Sequence, residues 1–184
     1  MRRLLVGIVA IAVLVVPTAC SGESNDARGA DGSTDSSKQD ALGTAQKGEI
    51  SLRSGWVAAT PAGTSRDKGG NRPVMSAGYA EIANAGSHDE KLVGASSPAA
   101  DMVELHETVD LANSAGTMRP VDHIVVPAGG SVTLRPGGYH LMIMGLHHGL
   151  RPGTKLEVDL RFASGTRVPV EFFVIDRTDR PGVS

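Results

Sequence analysis

Two short segments carry an unusual concentration of imidazole and thioether groups. In Asp101-Met102-Val103-Glu104-Leu105-His106, the two-residue alternation of an extended strand places Met102, Glu104 and His106 on one face and Val103 and Leu105 on the other. Tyr139-His140-Leu141-Met142-Ile143-Met144 repeats the pattern, with His140, Met142 and Met144 opposed to Tyr139, Leu141 and Ile143. Met118 lies between the two segments, in Gly116-Thr117-Met118-Arg119-Pro120. A half-buried strand ordinarily turns charged or hydroxyl side chains to water, so a face built from His and Met is unexpected for a purely structural strand.

The chemistry that suits such a face is the binding of a soft metal ion. Thioethers select Cu(I), whereas zinc takes thiolate or more imidazole, and calcium and magnesium take clustered carboxylates. The only cysteine is Cys20, so a disulfide, a Cys-x-x-Cys redox pair and a thiolate zinc site are all excluded. A blue-copper electron carrier needs a Cys ligand and is excluded as well. A neutral set of two His and two Met requires no ligand to be deprotonated, and it holds Cu(I) where thiolates are lost to oxidation. The chain lacks a Gly-x-Ser-x-Gly elbow, a Walker loop and a His-Glu-x-x-His motif, so no catalytic residues are expected and the protein reads as a non-enzyme.

The elements that position these side chains are short strands. Hydrophobic residues make up 40% of the 184 residues, enough for one core, and Gly (23) and Pro (10) punctuate brief apolar or alternating runs. Strands are predicted over Ile50–Ala59, Val74–Ala83, Lys91–Ser96, Asp101–Thr108, His123–Val126, Ser131–Leu134, Tyr139–Met144, Lys155–Phe162 and Val168–Ile175. Turns fall at Asn84-Ala85-Gly86, Pro127-Ala128-Gly129-Gly130, Arg135-Pro136-Gly137-Gly138, Arg151-Pro152-Gly153 and Ser164-Gly165. No long 3.6-residue stripe is present, and the fold class is therefore all-β.

Domain organisation follows from composition. Met1-Arg2-Arg3, the apolar run Leu4–Val16 and Pro17-Thr18-Ala19-Cys20 have the three regions of a signal peptide over residues 1–20, and the run is too short to span a bilayer comfortably. A Cys after a small residue resembles a bacterial lipobox, with Cys20 as the lipidation site and Pro17 where an aliphatic residue is usual. Residues 21–48 are rich in Ser, Gly and Asp and predict a flexible tether. The folded domain is expected over 49–178, with a short tail at 179–184. Localisation is therefore exported, lipid-anchored on the outer face of the bacterial cytoplasmic membrane, or else secreted or periplasmic and soluble. With Lys and Arg together at 18 against 20 Asp and Glu, the chain offers no case for nucleic-acid binding.

The spacing of the donors resembles a known family. His106, eleven residues, Met118, twenty-one residues, His140, one residue and Met142 is similar to the signature of the periplasmic copper chaperones called PCuAC. Gly55-Trp56-Val57, Val103-Glu104-Leu105-His106-Glu107, Met118-Arg119-Pro120-Val121, Pro127-Ala128-Gly129-Gly130 and Pro136-Gly137-Gly138-Tyr139-His140-Leu141-Met142-Ile143-Met144-Gly145-Leu146 agree with it. The resemblance implies a cupredoxin-like Greek-key β-sandwich or barrel. It also implies one Cu(I) per domain, held by His106, Met118, His140 and Met142 and passed by ligand exchange to the binuclear centre of the copper-bearing subunit of cytochrome c oxidase, with a thiol-containing copper assembly factor as a second partner. Glu107 stands where relatives often carry Met, and the chain ends without the His- and Met-rich tail of many relatives, so no second site is expected there.

Other residues have plainer roles. Met144, His147 and His148 are near enough in sequence to be accessory contacts, but the structural reading is core packing for Met144 and Met102 and a solvated pair for His147 and His148. His123 is expected as a hydrogen-bonded strand residue, His88 as a loop residue and Trp56 as a core anchor. Two other functions fit the same sequence: a copper-sequestering or resistance protein with the same site, and a metal-free structural or interaction lipoprotein.

Overall fold

The computed structural model describes residues 42–61, 74–109 and 116–179. The described residues form eleven strands: β1 (Gly43–Lys47), β2 (Ile50–Ala58), β3 (Met75–Asn84), β4 (Glu90–Ser96), β5 (Ala100–Val109), β6 (Thr117–Pro120), β7 (Ile124–Val126), β8 (Ser131–Leu134), β9 (Tyr139–Leu146), β10 (Lys155–Phe162) and β11 (Arg167–Ile175). Seven of them close a ring in the order β2-β11-β10-β4-β5-β9-β3, with β3 returning to pair β2. The β11–β2 pairing is parallel and the other contacts of the ring are antiparallel, so the barrel is mixed. β1, β6, β7 and β8 flank it, on β2, β5, β4 and β3 respectively. The all-β class and barrel architecture expected from the sequence are present.

The barrel interior follows directly from period-two patterning. Leu156, Val158, Leu160 and Phe162 of β10 and Val168, Val170, Phe172 and Val174 of β11 all point inward and are buried. Burial of each Val, Leu or Phe side chain contributes roughly 1.5–3 kcal/mol as an upper estimate. On β5 and β9 the inward aliphatic residues are Val103, Leu105, Leu141 and Ile143, which fixes the register and obliges the alternate residues to face outward. Gly145 is the penultimate residue of β9; its φ of 67° suits glycine and its missing side chain leaves room for the Asp101 carboxylate.

The structure revises the tether. Residues 43–47 are not free chain but strand β1, paired antiparallel with β2, and Leu42 is buried against Trp56 and Ala58. A backbone ladder and one apolar anchor suffice to order a polar segment, which composition alone does not reveal. β6 is likewise a strand in a stretch where none was predicted. The signal peptide, Cys20, residues 21–41 of the tether and residues 180–184 of the tail lie outside the described residues.

Candidate metal centre

β5 and β9 run antiparallel with His106 directly opposite His140. Their rings lie 5.7 Å apart on the outward face of the barrel. Met142 is two residues along β9, opposite Glu104, and Met118 is on the other side of β5, opposite Thr108. Register therefore places all four expected ligands on one face of three adjacent strands, with one methionine diagonal to the histidine pair on each side. Diagonal neighbours on a sheet face are about 7–8 Å apart at the backbone, within reach of long side chains.

Each imidazole is oriented by one nitrogen and leaves the other bare. His140 Nδ1 donates to the Gly138 carbonyl at 3.0 Å, and the same carbonyl accepts the Thr108 amide at 3.1 Å, which ties the ring to β5. His106 Nε2 donates to Glu104 Oε2 at 2.9 Å. A carbonyl and a carboxylate can only accept, so the protons sit on those two nitrogens and the lone pairs of His140 Nε2 and His106 Nδ1 are free. Both of these atoms are buried without a hydrogen-bond partner. Native proteins rarely leave such groups unsatisfied, and a ligand is one recognised reason. His140 is only 3% exposed, and burial pushes its pKa below the ordinary value, against the pull of the Gly138 carbonyl and with a further push from His106. The ring is thus kept neutral, the form that ligates a metal.

The surroundings differ on the two sides of the histidines. On the β3 side Tyr79 lies 6.3 Å from His140 between ring centroids and packs at 4.3 Å against Trp56. Trp56 is buried as expected, yet its remoteness in sequence conceals that it stands two rings away from the site. On the opposite side β6 is exposed along its whole length, and Met118 is 54% exposed. β6 is held to β5 by its ladder and by Arg119, whose guanidinium meets Glu107 Oε2 at 2.9 Å. Glu107 thereby fastens the strand that carries Met118.

Several expectations need correction. Met102 and Met144 are not core filler: Met102 is 49% exposed, and among the described residues no methionine belongs to the buried core, which Leu, Ile, Val and Phe already fill. His123 is exposed and precedes β7 rather than lying within a strand. His147 and His148 follow the far end of β9 and are not brought to the His106/His140 pair; His147 is not a freely solvated residue but meets Asp101 at 3.3 Å. His88 is an exposed loop residue, as expected. Sequence reasoning assigned no role to Glu104, although alternation already put it beside His106. Tyr79 and the Gly138 carbonyl carry no signal in the sequence that links them to the site. Among the described residues no three His, Cys, Asp or Glu side chains form a metal-binding group.

Comparison with known proteins agrees with the fold. The family model described as "Putative lipoprotein LpqE-like" matches residues 50–174. A relative from Leifsonia xyli subsp. xyli, the putative lipoprotein Lxx21020, is 38% identical over 128 residues, 69% of this chain and 70% of its own. Among solved structures, the copper-bound PCuAC domain from PmoF2 superposes with a TM-score of 0.57 at 21% identity, covering 72% of this chain and 97% of that one. The solution structure of CuI-DR1885 from Deinococcus radiodurans gives 0.50 at 29% identity, with coverages of 70% and 78%. The resemblance to PCuAC proteins read from the donor spacing is thereby borne out, and the chain belongs to the LpqE-like family of putative lipoproteins.

Proposed function

We propose that this protein is an extracytoplasmic Cu(I) metallochaperone, tethered to the outer face of the cytoplasmic membrane through Cys20, that delivers copper to the binuclear centre of cytochrome c oxidase. The observation that carries the reading is the pair of buried, unpartnered nitrogens, Nδ1 of His106 and Nε2 of His140, on facing strands. Two neutral imidazoles with Met118 and Met142 make a soft, uncharged donor set suited to Cu(I). The copper named in the PmoF2 and DR1885 structures supports the choice of ion, and the family's description supports the lipid anchor.

Copper is cargo here, so the site has to release it. His140 and His106 are fixed by Gly138 and Glu104, whereas Met118 stands exposed on a four-residue strand. Met118 is the ligand an incoming acceptor displaces first, after which Met142 and the histidines are exchanged in turn. The stronger preference of Cu(I) for a thiolate-rich acceptor draws the ion across. Anaerobic titration against a Cu(I) chelator should yield one tight equivalent, lost or greatly weakened in His140→Ala and Met142→Ala. Mixing the loaded chain with the soluble copper-bearing domain of the oxidase subunit should then transfer that equivalent. Retention of the copper would leave a buffering role and remove the delivery role.

A further inference from the structure

Apart from Met1, every methionine of the chain lies on the same outward barrel face, on β3, β9, β5 and β6. Met118 and Met142 flank the histidines. The other three form a row of their own. Met75 of β3 is opposite Met144 of β9, and Met144 is in turn opposite Met102 of β5. Side chains directly opposed on one face have Cβ atoms about 4.5–5.5 Å apart, so Met144 has a thioether neighbour on each side. Met75 is 45% and Met102 49% exposed.

We infer that Met75, Met102 and Met144 form a second site for a soft monovalent cation, Cu(I) or Ag(I), separate from the histidine centre. Three points argue for it. An unbranched, three-bond side chain lets the outer two sulfurs fold over the central one, so three thioethers can meet at a point above Met144. The donors are soft and uncharged, which excludes calcium and magnesium and disfavours zinc. Glu104, the next residue along β5 on the face of Met102 and partly exposed, puts a carboxylate at the border of the row, which favours a cation. Met144 is four residues from His140 along β9, about 13 Å in an extended strand, so the row shares no ligand with the first centre. Met142 lies between the two and gives a departing ion its next thioether.

The test uses the full-length chain with ¹³C-labelled methionine methyl groups, titrated anaerobically with Ag(I) as a redox-inert probe. In a His140→Ala/Met142→Ala background the methyl signals of Met75, Met102 and Met144 should shift together and saturate at one equivalent. Met102→Leu, an exposed and conservative change, should lower the Ag(I) affinity of the remaining two at least tenfold in that background, and in the otherwise unsubstituted chain it should leave the Cu(I) equivalent of the histidine centre intact. Three methyl groups that titrate independently, or no more tightly than the isolated Met118, would show adventitious thioether binding and overturn the inference, as would the absence of any shift. In the unsubstituted chain, movement of this row without Met118 and Met142 would remove the histidine centre and leave this site standing.

Discussion

The imidazoles of His106 and His140 face each other across β5 and β9 with centroids 5.7 Å apart, and each presents one buried nitrogen that no protein group satisfies. Their other nitrogens are held by Glu104 and Gly138. A pair of rings oriented in this way is prepared for a shared ligand before the ligand arrives.

Glu104 is the positioning group for His106. Glu104→Ala should weaken Cu(I) binding about 10- to 100-fold, the usual effect of losing an outer hydrogen bond to a ligating imidazole, with little loss of stability at this half-exposed position. Glu104→Gln keeps an acceptor oxygen and should recover part of the affinity. Chelator competition on the two variants measures both; equal losses would argue that charge rather than orientation is what Glu104 supplies.

Met118 should affect copper and not folding. Because its side chain stands on the exposed strand β6, Met118→Leu is expected to change unfolding free energy by no more than about 0.5 kcal/mol. Copper affinity should nevertheless fall, and dissociation to a thiolate acceptor should accelerate. Urea melts and stopped-flow transfer separate the two effects.

Glu107→Ala removes the partner of Arg119 and loosens β6. The ion pair is largely exposed and is worth at most about 1 kcal/mol. Its loss should therefore show in faster amide exchange at Met118 and in a modest drop in copper affinity, with thermal stability nearly unchanged. Unaltered exchange across 117–120 would mean that the ladder to β5 alone holds the strand.

The barrel core responds differently. Leu141 sits between His140 and Met142 and is fully buried, so Leu141→Ala should cost about 2–5 kcal/mol in a chemical melt. A native-state ligand at 100 times its Kd adds back roughly 2.7 kcal/mol, so one equivalent of Cu(I) should raise the melting temperature of this variant clearly, and the rise should be much smaller when His140→Ala is added.

The fold was legible because its barrel strands alternate. Lys155–Phe162 coincides with a predicted strand, since its inward Leu, Val and Phe leave no other register, and the flanking strand Ser131–Leu134 coincides with another. β1 and β6 were not legible. Gly43–Lys47 and Thr117–Pro120 are polar or exposed and are ordered by backbone pairing to β2 and β5, which side-chain patterning does not report. The candidate ligands were legible from residue type and spacing. What orders them was not: the Gly138 carbonyl, the Tyr79 ring and the row of Met75, Met144 and Met102 arise only once β3, β9 and β5 are laid side by side.

The most direct test is X-ray absorption at the copper edge on the chain loaded anaerobically with a single equivalent of Cu(I). The site described here predicts a first shell that mixes two imidazole nitrogens with two thioether sulfurs, and loss of the nitrogen contribution in His106→Ala/His140→Ala. A shell of nitrogen and oxygen alone, or one unchanged by that double substitution, would contradict it.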